Sequence, residues 1–120
     1  MRPHRKLDVW NEAVGFVVDV YQATRSFPKT EQYALADQLR RAAVSIPSNI
    51  AEGAARQTQK EFIQFLYIAR GSASEIDTQL EVAARLGYVS PEQKGGLDEK
   101  LDKISKMLSG LIRSVRTRDS

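Results

Sequence analysis

The chain reads as an all-α protein, an antiparallel up-and-down four-helix bundle, and three observations predict it. Apolar residues recur at intervals of three and four through four separate segments. Proline, glycine and capping pairs punctuate the chain between those segments. No stretch alternates apolar and polar residues as a half-buried strand does. Short connections then make consecutive helices antiparallel neighbours.

The first helix is expected over residues 8–25, with Asp8 as its N-cap. Its polar stripe is narrow, formed by Asp8, Glu12, Asp19 and Gln22 with Gly15 between them, and nearly everything else is apolar. One bundle covers an apolar face of only about 100° or somewhat more. Assigning Trp10, Val14, Val17 and Tyr21 to the core leaves Val9, Phe16 and Val20 over. These three are the candidate oligomer interface, and Phe16→Glu is expected to lower the assembled mass without unfolding the helix.

Ser26–Lys29 forms a loop, because Pro28 pushes Phe27 out of helical geometry. The second helix is expected over residues 31–56 and contains the stretch that organises the chain, Gln38–Arg56, QLRRAAVSIPSNIAEGAAR. Leu39, Ala43, Ile46, Ile50 and Ala54 make an apolar seam. Gln38, Arg41, Ser45, Asn49, Glu52 and Arg56 make a polar stripe beside it, and Ala42, Ala51, Gly53 and Ala55 are small enough to let neighbours come close. Pro47 interrupts this pattern at a cost of roughly 3 kcal/mol in a helix interior. Since the seam keeps its phase across the proline, one helix kinked at Pro47 is preferred to two helices.

Thr58 and Glu61 form a capping box that opens the third helix, residues 58–86. Phe62, Phe65, Leu66, Ala69, Ala73, Ile76, Leu80 and Ala83 line its core face, and Gly87 is its C-terminal stop. Ser90, Pro91 and Gln93 supply an N-cap, an N1 proline and a capping-box glutamine for the fourth helix, residues 91–116. There Leu97, Leu101, Ile104, Leu108, Leu111 and Val115 face the core, and Gly95-Gly96 weakens the first turn. The whole of residues 1–120 forms a single domain with short basic tails, long enough to bury a real core.

The run SIPSNIAEG (Ser45–Gly53), preceded by QLRRAA and followed by EFIQFLYIARGSASEIDTQL (Glu61–Leu80), closely resembles the 23S rRNA-intervening-sequence proteins, also called four helix bundle proteins. The likeness spans nearly the whole chain, including WNEAVGFVVDVYQAT and the FP loop. It implies a small bacterial protein with an up-and-down bundle that assembles into five-membered rings, and a family without an established enzymatic activity. The family is similar in turn to the accessory variability determinants of diversity-generating retroelements, basic pentamers that work with a reverse transcriptase and nucleic acid. This chain is less basic than those relatives, so the resemblance implies architecture more directly than role.

Charge and composition narrow the function classes. Net charge is +3; residues 1–6 carry +3 and residues 113–120 carry +2, which leaves −2 on residues 7–112. Arg2, Arg5, Lys6, Arg113, Arg116 and Arg118 are therefore the candidate nucleic-acid contacts, and weak, salt-sensitive binding is expected of them. There is no cysteine, which removes thiol nucleophiles and fits a cytoplasmic location. The sequence shows neither a signal peptide nor a membrane span, so no membrane partner is expected.

Catalytic signals are thin. His4 is the only histidine and lies in a basic tail, where nothing positions a general base. The Glu-x-x-His pairs of di-metal bundles are absent, as is a phosphate-binding glycine loop. No catalytic residue, metal site or cofactor is expected. Ser45, Ser48, Asn49, Glu52 and Arg56 form a candidate polar stripe at the kink, read first as a contact to a neighbouring helix or subunit. In that reading Asn49 and Ser48 tie off the carbonyl freed by Pro47; a small-molecule or enzymatic site near Asn49 and Glu52 is the weaker alternative. The leading functional expectation is a non-enzymatic homo-oligomer, a pentamer as the resemblance implies, that presents repeated surfaces to a protein partner. The alternative is an RNA- or DNA-binding accessory protein acting through its basic tails.

Overall fold

A computed structural model describes residues 2–118 of the chain. It contains a 3₁₀ turn, Pro3–Lys6, followed by four helices: α1 (Asp8–Thr24), α2 (Leu35–Ala54), α3 (Gln59–Arg85) and α4 (Pro91–Arg118). At 1.5 Å per residue the two longest helices run about 40 Å, which accounts for most of the 48 Å long axis of a body only 22 by 21 Å across. No strand occurs among the described residues. The helices form the expected antiparallel bundle, each packed on the two that flank it: α1 on α2 and α4, and α3 on α2 and α4.

The ends of the helices are set by local chemistry. Thr58 caps α3, its hydroxyl accepting from the Glu61 N–H at 3.1 Å and donating to the Glu61 carboxylate at 2.9 Å. Ser90 and Gln93 cap α4 reciprocally, with the Gln93 N–H donating to the Ser90 hydroxyl and the Ser90 N–H to the Gln93 side chain. Gly87 closes α3 at φ +79°, the left-handed conformation glycine adopts without a Cβ clash. The Tyr88 N–H then reaches back to the Ala83 carbonyl at 2.9 Å and the Gly87 N–H to Ala84 at 3.0 Å, a Schellman closure.

The C-terminal ends of the helices fall within two residues of expectation, but the entries to α1 and α2 differ in kind. Leu7, not Asp8, precedes the first turn of α1, and Asp8 is its first helical residue. The second helix begins at Leu35 instead of near residue 31, after a 3₁₀ turn at Lys29–Glu31. The reason is the α1–α2 connection, which a polar network draws tight. The Gln32 amide donates to the carbonyls of Phe27 (2.9 Å) and Thr24 (3.1 Å), and Arg40 donates to the Thr24 hydroxyl and the Gln32 side-chain oxygen. Phe27 is buried in this loop and packs on Tyr88 of the α3–α4 connection, ring centroids 5.4 Å apart. Burial and the Glu31 carboxylate, which accepts from the Tyr88 hydroxyl, hold that phenol above its ordinary pKa.

One core runs the length of the bundle, and it corrects the assignment of faces on α1. Val9, Phe16 and Val20 are 4%, 1% and 1% exposed and belong to the core, while Val14, Val18 and Tyr21 lie on the surface and Trp10 and Val17 are half-buried. The candidate oligomer interface is therefore interior, and Phe16→Glu is now expected to unfold the bundle. Two acids mark the flank of α1 that borders α4: Glu12 takes Lys103 at 2.9 Å, and Asp19 takes Lys100. With that flank turned to α4, the line through Val9, Ala13, Phe16 and Val20 points inward. On α2, Leu39, Ala43, Ile46 and Ile50 are fully buried and Ala54 is half-buried. Near the end of α4, Ile112 replaces Leu111 in the core, because the inward step from Leu108 is four residues and the next, to Val115, is three. α2 is continuous through Pro47, which is itself buried.

Candidate functional site

The polar stripe of α2 meets α3 at Ser45 and Arg56, while Gln38 and Arg41 stay exposed. Ser45 Oγ lies 2.9 Å from Ser72 Oγ across the seam, and the Asn49 amide donates to the Ser45 carbonyl (2.8 Å) and hydroxyl (2.9 Å). The carbonyl that Pro47 leaves without its usual donor is that of Ala43, four residues back. Asn49 is directed to Ser45, so it does not tie off that oxygen; Ser48 stays exposed on the outer side of the helix. Arg56 pairs with Glu52 at 2.6 Å and lies over the Phe65 ring at 4.8 Å. The stripe thus meets α3 through one hydrogen bond, Ser45 to Ser72, and the Arg56–Phe65 contact, and its other bonds stay on its own side of the seam. At Gly53 a Cβ would sit 2.7 Å from Phe65 Cβ and 3.2 Å from the Phe62 carbonyl, so only glycine allows this approach.

The basic ends are built into the fold. His4 and Arg5 occupy the N-terminal 3₁₀ turn and hold Trp10 between them, the imidazole 4.9 Å from the indole edge-on and the Arg5 guanidinium 5.2 Å over its ring. Arg2 and Lys6 are exposed. At the other terminus α4 stays helical through Arg118, so Arg113, Arg116 and Arg118 are displayed on a rigid rod. Antiparallel topology brings the N-terminal turn, the α2–α3 connection with Arg56 and Lys60, and the end of α4 to the same pole of the bundle. Distance along the sequence hid that convergence.

Several residues that pattern reading passes over take part. Tyr67 lies between two guanidiniums, Arg70 at 4.8 Å and Arg116 at 6.0 Å from its centroid, and its hydroxyl accepts from Arg116. Arg70 also donates to Ser109 of α4 at 3.3 Å. At the opposite pole Glu81 binds Arg85 and Lys94; these contacts hold its carboxyl below the usual range, and Lys94 is held above its own by Asp98 and Glu81. Between α1 and α4 runs an open groove of 690 Å³ lined by Glu12, Lys103 and Met107 among others. Among the described residues, no group of three or more histidine, cysteine or acidic side chains is placed to hold a metal, and no helix is long and apolar enough to cross a membrane.

Comparison with known proteins places the whole arrangement. No curated protein matches the chain. Among solved structures it is similar to a protein of unknown function from the S23 ribosomal protein family of Bacteroides thetaiotaomicron, at a TM-score of 0.81 and 26% identity over 88% of this chain and 95% of that one. The family model for the 23S rRNA-intervening sequence protein matches residues 5–110, from the N-terminal turn into the last third of α4. The bundle, the proline-containing α2 and the small-residue α2–α3 seam are thus those of a chain that belongs to the 23S rRNA-intervening sequence protein family.

Proposed function

We propose that the chain is a non-enzymatic assembly protein, a homo-oligomer that presents copies of its bundle surface to a protein partner. The observation that carries this reading is the outer stripe of α1, where Val14, Val18 and Tyr21 are 37%, 51% and 46% exposed. Arg40 of α2 crosses over the Tyr21 ring at 5.4 Å, and Val44, one turn further along the same flank, is exposed too. Full burial of one such side chain stabilises by roughly 1.5–3 kcal/mol relative to full exposure. A second copy is a natural cover for a stripe that runs along a rigid helix, and cyclic symmetry closes such contacts without leaving an open filament. The number five rests on the family resemblance; the stripe itself supports more than one copy.

Light scattering coupled to size exclusion at micromolar concentration tests the reading. A mass of five times 13.5 kDa is expected. Val18→Glu is expected to lower it while helicity is retained. A wild-type mass of one chain overturns the assembly reading; a dimer or tetramer overturns only the ring of five.

A further inference from the structure

The cations of α4 divide into two classes. Its lysines, Lys94, Lys100, Lys103 and Lys106, each hold a carboxylate within 3.5 Å. Its arginines, Arg113, Arg116 and Arg118, hold none among the described residues. The facing half of α3 repeats the pattern: from Phe62 to Ser74 the single charged residue is Arg70, and it too lacks a carboxylate. The nearest acids along α3, Glu61 and Glu75, are engaged with Thr58 and Gln79. This half of the α3–α4 groove therefore carries Arg70 and Arg116 on Tyr67, with Ser109 beside Arg70 and Arg113 one turn before Arg116 on α4. Among the described residues none of the three arginines holds a carboxylate.

We infer that the groove binds the backbone of a single-stranded nucleic acid. Favourable interaction with the carbonyl end of α4 accounts for Arg116 and Arg118 in its last turn. It does not account for Arg70, which lies in the middle of α3, or for Arg113 one turn earlier. Arginine is the cation whose planar fork matches a phosphate with two parallel hydrogen bonds, whereas lysine serves as a hydrated point charge. Along α4, arginine stands where no carboxylate is supplied and lysine where one is. Tyr67 is 39% exposed and lies among these guanidiniums. A cationic groove with an aromatic platform is the arrangement that holds single strands without regard to sequence. The same pole carries Arg5, Lys6 and Lys60, with Glu52 and Glu61 there engaged by Arg56 and Thr58. This inference stands apart from self-association, because the groove lies on the opposite side of the bundle from the α1–α2 stripe.

Fluorescence anisotropy of the full chain with a labelled oligouridylate tests it. Binding is expected with Kd of about 10⁻⁴–10⁻⁶ M near physiological salt, and log K should fall with log salt by roughly 0.7 per phosphate neutralised. Arg70→Ala, Arg113→Ala and Arg116→Ala should each reduce that slope by about 0.7. Tyr67→Ala should weaken binding about five-fold or more, while Tyr67→Phe keeps the platform. Arg41→Ala and Arg85→Ala, which remove exposed arginines already paired with carboxylates, should leave the slope unchanged. Should Arg70→Ala unfold by circular dichroism, the double variant Arg113→Gln and Arg116→Gln, confined to exposed positions, decides on its own. Absence of binding at low salt, or a slope indifferent to the groove arginines, overturns the inference. Equal affinity for polyglutamate or for anionic vesicles also overturns it and assigns the groove to an acidic protein or a lipid surface.

Discussion

The α2–α3 seam and the α1–α4 seam hold the same bundle together by opposite means. Along the first, Gly53, Ala42, Ser45 and Ser72 bring two backbones close, and the contact is made by packing and the Ser45–Ser72 hydrogen bond. Along the second, Lys100 and Lys103 reach across an open groove to Asp19 and Glu12. Close packing depends on volume, so it tolerates salt and rejects added atoms. Exposed ion pairs behave the other way: they tolerate changes of shape, are screened by salt, and contribute about 0–1 kcal/mol each. The difference teaches where the chain is intolerant of substitution and where it has freedom to diverge.

The largest effect is expected where glycine is obligatory. Gly53→Leu places a branched side chain where even a Cβ lies 2.7 Å from Phe65 Cβ. It should cost about 1–3 kcal/mol by overpacking, read as a fall in the urea midpoint. Gly15→Ala on the outer part of α1 meets nothing within 4 Å and should stabilise by about 0.5–1 kcal/mol through helix propensity. If both substitutions shifted the midpoint in the same direction, the contrast between the seams would fail.

A smaller effect is expected at the polar seam. Lys103→Met should change stability by less than about 1 kcal/mol, since the pair with Glu12 is exposed. Raising salt should narrow the gap between wild type and variant, and a gap that persists in high salt would show that packing, not charge, holds α1 to α4. Smaller still is the pH response where α3 meets the start of α4. The Glu81 carboxyl is lowered by Arg85 and then by Lys94. Its contribution is therefore present above the ordinary carboxylate range and is lost as pH falls through the lowered value. Lys94 is raised, so its contribution is complete below the ordinary lysine value and is lost as pH rises through the raised one. Lys94→Met should flatten both limbs of a plot of melting temperature against pH; curves that stay parallel would remove this bridge from the account.

Much of the candidate site was legible residue by residue but not as a place. Arg113, Arg116 and Arg118 stand out by charge, and Ser45 and Asn49 by their phase on α2. Arg70 and Tyr67 carry no such signal, because a single arginine among small residues on a helix reads as a solvated side chain. Their meaning comes from α4 crossing back along α3, which sets Ser109 and Arg116 against them. The Arg40–Thr24–Gln32 network was equally hidden: its members are ordinary polar residues until the α1–α2 turn brings them within hydrogen-bond distance.

What the sequence by itself determined is local. The helix count, the caps at Thr58 and Ser90, the glycine stop at Gly87 and the core lines of α2, α3 and most of α4 follow from spacing and from short-range hydrogen bonding. The inward face of α1 was decided only by tertiary structure. That helix is apolar on most of its circumference, so the lines through Trp10, Val14, Val17 and Tyr21 and through Val9, Ala13, Phe16 and Val20 have the same spacing. Since each residue advances the helix by about 100°, the two lines lie roughly a quarter-turn apart, and periodicity alone does not choose between them. The choice is made by packing, since Val9, Ala13, Phe16 and Val20 are the set that fits into the shared core. The pairs of Lys100 and Lys103 with Asp19 and Glu12 accompany that rotation without supplying its energy. A helix with apolar residues on nearly every side receives its orientation from the shape of the core its neighbours form, and that shape exists only once the chain has folded.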